Sequence, residues 1–322
     1  MQSFTDLVAS FEHRLTHTLP FPAQPANLYD PCRYLLQLGG KRIRPVVCMM
    51  ACELFTDINE DAWHAAAAIE LFHNFTLIHD DIMDKAPLRR GFPTLHHKYG
   101  LTAGILCGDV TCIFAYEQLA HIGKNLQPIL ALFNKTAIEV CEGQQMDMDF
   151  ETRNDVTIDE YITMITLKTS VLLAASLKIG ALTGGALGDN AKKLYDFGKN
   201  MGIAFQLQDD YLDAFGDPAK LGKQNGGDIR ANKKTYLMLK AQEMATAEQK
   251  EQMERLVNAE ASDEKVAEML QVFTATGADK LCRDAIHHYS DLAFSNLDNV
   301  AVPSVRKKPL TDLANYLLVR EK

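Results

Sequence analysis

The 322-residue sequence is short of several things, and each shortage narrows the reading. It has one tryptophan and seven scattered cysteines, with no Cys-x-x-Cys pair. Cys48 and Cys52, at i and i+4, fit a helix core better than a metal site, and the odd count points to reduced thiols in the cytoplasm. No uninterrupted apolar run reaches the ~18 residues of a spanning helix, so no transmembrane segment is expected. Residues 1–11 carry Asp6 and lack both a basic start and a long apolar core, so no signal peptide is expected either. Positive charge is scarce: 33 Lys and Arg face 42 Asp and Glu, and the net charge of −9 argues against nucleic acid as a partner. The chain contains no GxxxxGK[ST] loop, no plausible Ser/His/Asp triad, no reliable hairpin or alternating-strand pattern, and no repeat beyond one acidic motif. A glycosylation sequon at Asn74-Phe75-Thr76 falls inside a predicted buried helix and is discounted.

What remains is helical almost throughout. The periodicity predicts helices over 4–17, 32–38, 46–55 and 59–84, then 101–122, 127–150, 158–182 and 190–215. Gly39-Gly40 stops the second, Pro45 opens the third, and Pro87 prevents the fourth from continuing. Thr157 and Glu160 form a capping box for 158–182. A Gly-rich polar loop over 216–232 precedes a helix over 234–257, and the remainder is helical with breaks near Gly277 and Pro303. With no convincing linker, residues 1–322 read as one all-α domain, a bundle of long helices.

The acidic motif is Asp80-Asp81-Ile82-Met83-Asp84, at the end of the apolar run that begins near Phe72. On a helix Asp80 and Asp84 share a face, with Asp81 about 100° round. Carboxylates at a helix C-terminus oppose its dipole and call for a cation. The motif returns at the same spacing as Asp209-Asp210-Tyr211-Leu212-Asp213, again closing an apolar helical run. Two such ends suggest two sides of one divalent-metal site, and carboxylate oxygens without Cys or His at ligand spacing favour Mg²⁺ over zinc.

Against the overall charge stand local basic clusters. Gly39-Gly40-Lys41-Arg42-Ile43-Arg44-Pro45 sets flexible backbone and three cations before a helix N-terminus, a combination suited to a phosphate or diphosphate. Leu88-Arg89-Arg90-Gly91 comes just beyond Asp84 and can bring guanidinium groups back beside it. Lys168 and Thr169 interrupt an otherwise apolar helix. Phe205, Gln206, Asp209 and Asp213 fall within an arc of about 100° on an ideal wheel. After them come Lys223, in Gly222-Lys223-Gln224-Asn225-Gly226-Gly227-Asp228, and Lys233-Lys234-Thr235. Carboxylates for Mg²⁺, cations for phosphate and apolar helices between them match one kind of chemistry: departure of a diphosphate from a hydrophobic substrate, with water kept from the carbocation.

From Tyr29 to Thr235 the motifs, in order, are GGKRIRP, His73, DDIMD, RRG, Gly108-Asp109-Val110, Gly143-Gln144-Gln145-Met146-Asp147, Lys168-Thr169, FQLQDDYLD and GKQNGGD. In this the chain resembles the trans-isoprenyl diphosphate synthases, the family of farnesyl and geranylgeranyl diphosphate synthases. The resemblance implies antiparallel helices around a central cavity, a homodimer, three Mg²⁺ ions, and condensation of isopentenyl diphosphate with an allylic diphosphate. It assigns Lys41, Arg44, His73 and Arg90 to isopentenyl diphosphate. Arg89, Lys168, Lys223 and Lys233 go to the allylic diphosphate, with Thr169 and Gln206 near the developing cation. Asp80, Asp84 and Asp209 become metal ligands, with Asp81, Asp210 and Asp213 assisting through water or hydrogen bonds. The released diphosphate is the expected proton acceptor. Two departures stand out: Gly226-Gly227 where a small polar residue is common, and Asn232 in place of a frequent Gly.

In this family bulky residues upstream of the first acidic motif floor the elongation tunnel. Here those positions hold Phe72, Phe75 and Thr76, and Phe75, five before Asp80, resembles geranylgeranyl (C20) synthases. The wheel agrees only in part: Thr76 lies about 60° from the mean Asp80/Asp84 direction and Phe75 nearly opposite, where it could be packing core. Farnesyl (C15) or longer products are the alternatives. A terpene cyclase would normally replace the second acidic motif, a non-catalytic partner subunit would have lost one, and a calcium protein would need a turn-borne oxygen cage with a central Gly.

Overall fold

A computed structural model describes residues 1–18, 21–217 and 225–318. It is all-α, and its contacts gather into two compact units. The first comprises 1–132, 176–191 and 301–310; the second comprises 133–175, 192–300 and 311–322. Four of the five boundaries fall within helices, and the fifth, 300/301, in a short turn.

The first unit opens with α1 (Phe4–Thr18), α2 (Ala26–Gln37), α3 (Ile43–Glu53) and α4 (Glu60–Met83). Nearly every residue of α3 from Pro45 to Cys52 is buried, and Cys48 and Cys52 are core, as their spacing predicts. Asn59 starts α4 by accepting from the Ala62 N–H at 2.9 Å, and Asp84 ends it. Asn74 is buried and donates to the Glu70 carbonyl at 2.7 Å, which removes the sequon from the surface. α2 begins well before the predicted 32, because the helix carries Pro31 inside it; burial of Pro31, Cys32 and Leu35 outweighs the lost hydrogen bond. A short antiparallel ladder, β1 (Leu88–Arg89) with β2 (Phe92–Pro93), corrects the expectation of no hairpin. Its tip, Arg90-Gly91, has positive φ at both residues (55° and 80°), as a tight type I′ turn requires. α5 (Leu95–Tyr99) and α6 (Leu101–Ala120) follow, and α6 packs along α4.

α7 (Leu126–Thr152) leads into the second unit, where the predicted capping box of Thr157 and Glu160 starts α8 (Ile158–Ile165). A π-helical turn over Thr166–Ser170 then joins α8 to α9 (Val171–Thr183). The window within 158–183 is long and apolar enough to cross a membrane, with mean hydropathy 1.5, but 61% of it is buried inside the protein, so it reads as a core helix. α10 (Asn190–Phe215) is followed by the one-turn α11 (Gly227–Arg230). The single helix expected over 234–257 is two, α12 (Tyr236–Met244) and α13 (Ala247–Val257), because Thr246 and Gln249 form a second capping box that restarts the chain. α14 (Asp263–Thr276), α15 (Ala278–Asp298) and α16 (Ser304–Leu318) complete the chain. The core of the second unit joins Tyr161, Leu207, Leu237, Met269 and Phe273.

Candidate active site

In the first unit the end of α4 carries the first acidic motif. Asp81 turns inward, 3% exposed, where Arg89 Nε donates to its two oxygens at 2.9 and 2.8 Å. Arg89 Nη2 also reaches Asp80 Oδ2 at 3.4 Å. Burial opposes the charge on Arg89, but Asp81 and the neighbouring carboxylates outweigh it and raise its pKa. The β1–β2 hairpin therefore carries a cation to the acidic helix end, as predicted. Asp80 is partly exposed and Asp84, the helix cap, is exposed. The carboxylate at Asp81 is held by Arg89, which suits assistance rather than direct metal binding.

Arg90, at the hairpin tip, donates through Nη1 to the Gly39 carbonyl. A Cβ on Gly40, whose φ is +155°, would sit 3.0 Å from both terminal nitrogens of Arg90, the movable end of that side chain. The hairpin and the GGKRIRP loop are thus one surface. Within the loop the three cations divide. Arg42 does not belong to any ligand surface: it is 3% exposed, with Nε on Glu12 at 2.6 Å, Nη1 on Glu70 and Nη2 on the Leu36 carbonyl at 2.9 Å. Lys41 is exposed, and Arg44 Nη1 lies 3.2 Å from His73 Nε2. Burial, with the guanidinium groups of Arg44, Arg90, Arg89 and Arg42 around it, holds His73 well below the usual imidazole pKa. It is neutral and accepts from Arg44. Upstream on α4, Phe72 is buried and its ring lies tilted against Phe75 (centroids 5.6 Å), which also meets His79 edge-on at 4.9 Å. The Thr76 hydroxyl is occupied by the His73 carbonyl at 2.8 Å.

In the second unit the π-turn presents Lys168, whose Nζ donates to Asp147 Oδ2 on α7 at 2.5 Å. This resolves the ambiguity of a mid-helix lysine: the ammonium is partly buried and partnered. A Cβ on Gly143 would fall 2.2 Å from the Lys168 backbone nitrogen, so α7 packs directly on the π-turn backbone only because residue 143 is glycine. The Thr169 hydroxyl lies 3.5 Å from Gln206 Oε1, and Gln206 Nε2 donates to Asp210 Oδ1 at 3.1 Å. Asp210 is buried, and Tyr161 donates its hydroxyl to the other oxygen. Burial raises the Asp210 carboxyl to about 7; Asp228 and Asp209 add to the push, while the Tyr161 and Gln206 hydrogen bonds oppose it.

Asp209 is exposed beside buried Asp210 and Asp213. Asp213 Oδ2 accepts the Asp228 N–H at 2.9 Å, anchoring α11 to the end of α10. Lys233 Nζ comes within 3.6 Å of Asp228 Oδ1. The first motif thus turns one carboxylate inward and the second two, and these inward ones organise cations and backbone. Lys223 lies outside the described residues. Asp147, Tyr161 and Asp228 were missed as site residues: Asp147 stood within a quoted motif with no role, and nothing in the spacing marks Tyr161.

Among the described residues no three His, Cys, Asp or Glu side chains form a ready-made metal cage. The donor chemistry nevertheless fits Mg²⁺. Asp80, partly exposed, and Asp84, exposed, at one helix end and exposed Asp209 at another are hard oxygen donors, and Mg²⁺ is ordinarily held by one or two carboxylates with water and substrate phosphate.

Each unit sets a cation near an aspartate-rich helix end, Arg89 on Asp81 in the first and Lys233 by Asp228 in the second, and the chain's relatives place it in the prenyltransferase class of enzymes. The chain is a member of the polyprenyl synthetase family, whose model matches residues 25–273. It is 38% identical to the geranylgeranyl diphosphate synthase of Methanosarcina mazei over 92% of this chain and 91% of that protein. It is 35% identical to the geranylfarnesyl diphosphate synthase of Natronomonas pharaonis over 92% of this chain and 91% of the relative. A crystal structure of a geranylgeranyl pyrophosphate synthase superposes with a TM-score of 0.93 at 43% identity, covering all of both chains.

Proposed function

We propose that the protein is a short-chain trans-prenyltransferase that condenses isopentenyl diphosphate with allylic diphosphates and makes chiefly geranylgeranyl diphosphate (C20). The observation that carries the reading is Arg89, locked on buried Asp81 and reaching partly exposed Asp80, which sets a fixed cation at the acidic helix end. Residues 1–322 act as one polyprenyl synthase domain in this reading.

The allylic C–O bond breaks, the diphosphate leaves, and the C1 cation is attacked by the double bond of isopentenyl diphosphate. Loss of a proton to the released diphosphate completes the product. Asp80, Asp84 and Asp209 would hold Mg²⁺, three ions per site, and bound Mg²⁺ supplies neutralisation of the leaving charge. Arg89, Lys168, Lys223 and Lys233 bind the allylic diphosphate. Lys41, Arg44 and Arg90 bind isopentenyl diphosphate, with neutral His73 fixing Arg44. Gln206, oriented by Asp210, turns its amide oxygen toward Thr169, so that their dipoles face the developing cation. Asp81 and Asp213 hold Arg89 and α11 in place.

A homodimer is supported by the exposed apolar row on α6, with Leu101, Ile105, Leu106 and Ile113 between 43% and 66% exposed. A cytoplasmic location is supported by seven free cysteines.

The test is incubation with labelled isopentenyl diphosphate and each of the C5, C10 and C15 allylic diphosphates, with products sized by chromatography. Elongation is expected with Mg²⁺ and none with EDTA; no elongation with any partner sinks the reading. Product length has its own test. The Phe75 ring sits between Phe72 and His79, and Phe75→Ala is expected to lengthen the main product. An unchanged product ladder would leave Phe75 as packing and refute its role as the tunnel floor.

A further inference from the structure

Of the two departures from the family pattern, Gly226 of Gly226-Gly227 and Asn232 both face the first turn of α14. A Cβ on Gly226, whose φ is +79°, would fall 2.5 Å from Val266 Cγ1. Asn232 takes φ +54° at the end of α11, where its N–H bonds the Ile229 carbonyl at 3.2 Å and the Lys233 N–H bonds the Asp228 carbonyl at 2.9 Å. That is the Schellman pattern, which accepts glycine most readily and asparagine next. Here the asparagine side chain has work a glycine lacks. Its Nδ2 donates to the Val257 carbonyl at 3.1 Å, and its Oδ1 accepts from Lys265 Nζ at 2.9 Å.

Lys265 is unusual. It is 3% exposed, and no carboxylate among the described residues pairs with it. Its ammonium instead meets three oxygens: Asn232 Oδ1, the Ala259 carbonyl at 3.2 Å and the Val257 carbonyl at 3.4 Å. Three donors with three acceptors satisfy the group without a counter-charge. The two carbonyls lie at the C-terminal end of α13, the negative end of its dipole, which favours a cation there. A buried ammonium remains costly, and burial lowers its pKa. A methionine would fill the same space more cheaply. Arg230, bonded to Asp263 at 2.5 Å, adds a third tie from α11 to the same turn of α14.

We propose that Lys265 is a positioning residue for the allylic diphosphate site: through Asn232 it fixes the turn that presents Lys233. The inference rests on the role given to Lys233 above. Lys265 touches no substrate; it sets the left-handed residue immediately before Lys233 and ties it to α13 and α14.

Steady-state kinetics with each substrate varied in turn test this on Lys265→Met, Asn232→Gly and the double variant. Asn232→Gly keeps the left-handed turn and so supplies a folded variant if Lys265→Met is unstable. Each single variant is expected to raise the KM for the allylic diphosphate about tenfold, a coupling of ordinary size for contacting residues, and to leave the KM for isopentenyl diphosphate unchanged. The double variant is expected to be no worse than either single one. Amide exchange at Lys233 is expected to quicken in all three. A lowered melting temperature with both KM values intact, an equal rise in both, or additive effects in the double variant would overturn the proposal. Lys233→Ala separates the two assignments. If it leaves the allylic KM unchanged, the diphosphate role of Lys233 falls and this inference with it; if it raises that KM while Lys265→Met does not, the Lys265 link alone is overturned.

Discussion

Asp80→Asn is expected to lower turnover on the order of 10³-fold while leaving the fold intact, the scale seen when one preorganised electrostatic partner is removed from a reacting centre. The substitution keeps the shape of the side chain and removes only its charge. Asp80 is partly exposed at the end of α4, and its tie to Arg89 is the longer one, 3.4 Å against 2.9 and 2.8 Å to Asp81. Arg89 therefore stays in place when Asp80 is neutralised. Asp81→Asn is the contrasting variant: it weakens a buried, two-pronged ion pair and is expected to cost about 1–3 kcal/mol of stability. Product formation, urea unfolding and the Mg²⁺ concentration for half-maximal rate, measured on both, separate the roles. An Asp80→Asn enzyme with near-native turnover would remove Asp80 from the chemistry.

Gly143→Ala is expected to harm both folding and activity. Its new Cβ would fall 2.2 Å from the Lys168 nitrogen and 2.7 Å from the Leu167 carbonyl carbon, and both are backbone atoms that cannot rotate aside. Overpacking of this kind costs about 1–3 kcal/mol or more. Relief requires α7 and the π-turn to part, which pulls Asp147 from Lys168; a displacement of about 1 Å at a positioning group costs on the order of 10²-fold in rate. Gly123→Ala, whose Cβ has nothing nearer than 3.8 Å, is the neutral control. Equal urea midpoints for the two variants would show that the close approach at Gly143 is not a constraint.

The sequence and the structure agree where one residue's chemistry decides its surroundings. Asp80, Asp84 and Asp209 stand out in the sequence because carboxylates ending apolar helices conflict with the helix dipole; in the structure Asp80 is partly exposed and Asp84 and Asp209 are exposed. Arg89 was legible by proximity to Asp84. Arg42 was not: in the run Lys41-Arg42-Ile43-Arg44 all three cations look alike, and only the carboxylates of Glu12 and Glu70, brought by α1 and α4, turn Arg42 inward. Tyr161 was invisible for the same reason, since its partner Asp210 lies 49 residues along the chain; Lys265 was invisible because two of its partners are backbone carbonyls, which carry no sequence signal. The break between α12 and α13 was legible in principle, because Thr246 and Gln249 have the capping-box spacing already used for Thr157 and Glu160.

The π-turn at Thr166–Ser170 has a consequence for how such chains diverge. A π-turn holds one residue more than an α-helical turn of the same segment, so the residues of α8 and α9 are out of phase by about 100°. The apolar stripe through Tyr161 and Ile165, which an unbroken α-helix would carry on through Leu172 and Ser176, is therefore continued by Leu173 and Leu177. Loss of a single residue anywhere in Thr166–Ser170 would restore the phase and turn either the core of α9 or the Asp147-facing lysine away from its partner. Length, more than residue identity, is thus the variable under constraint in this turn, and a relative one residue shorter there would have to hold its ammonium from another helix position.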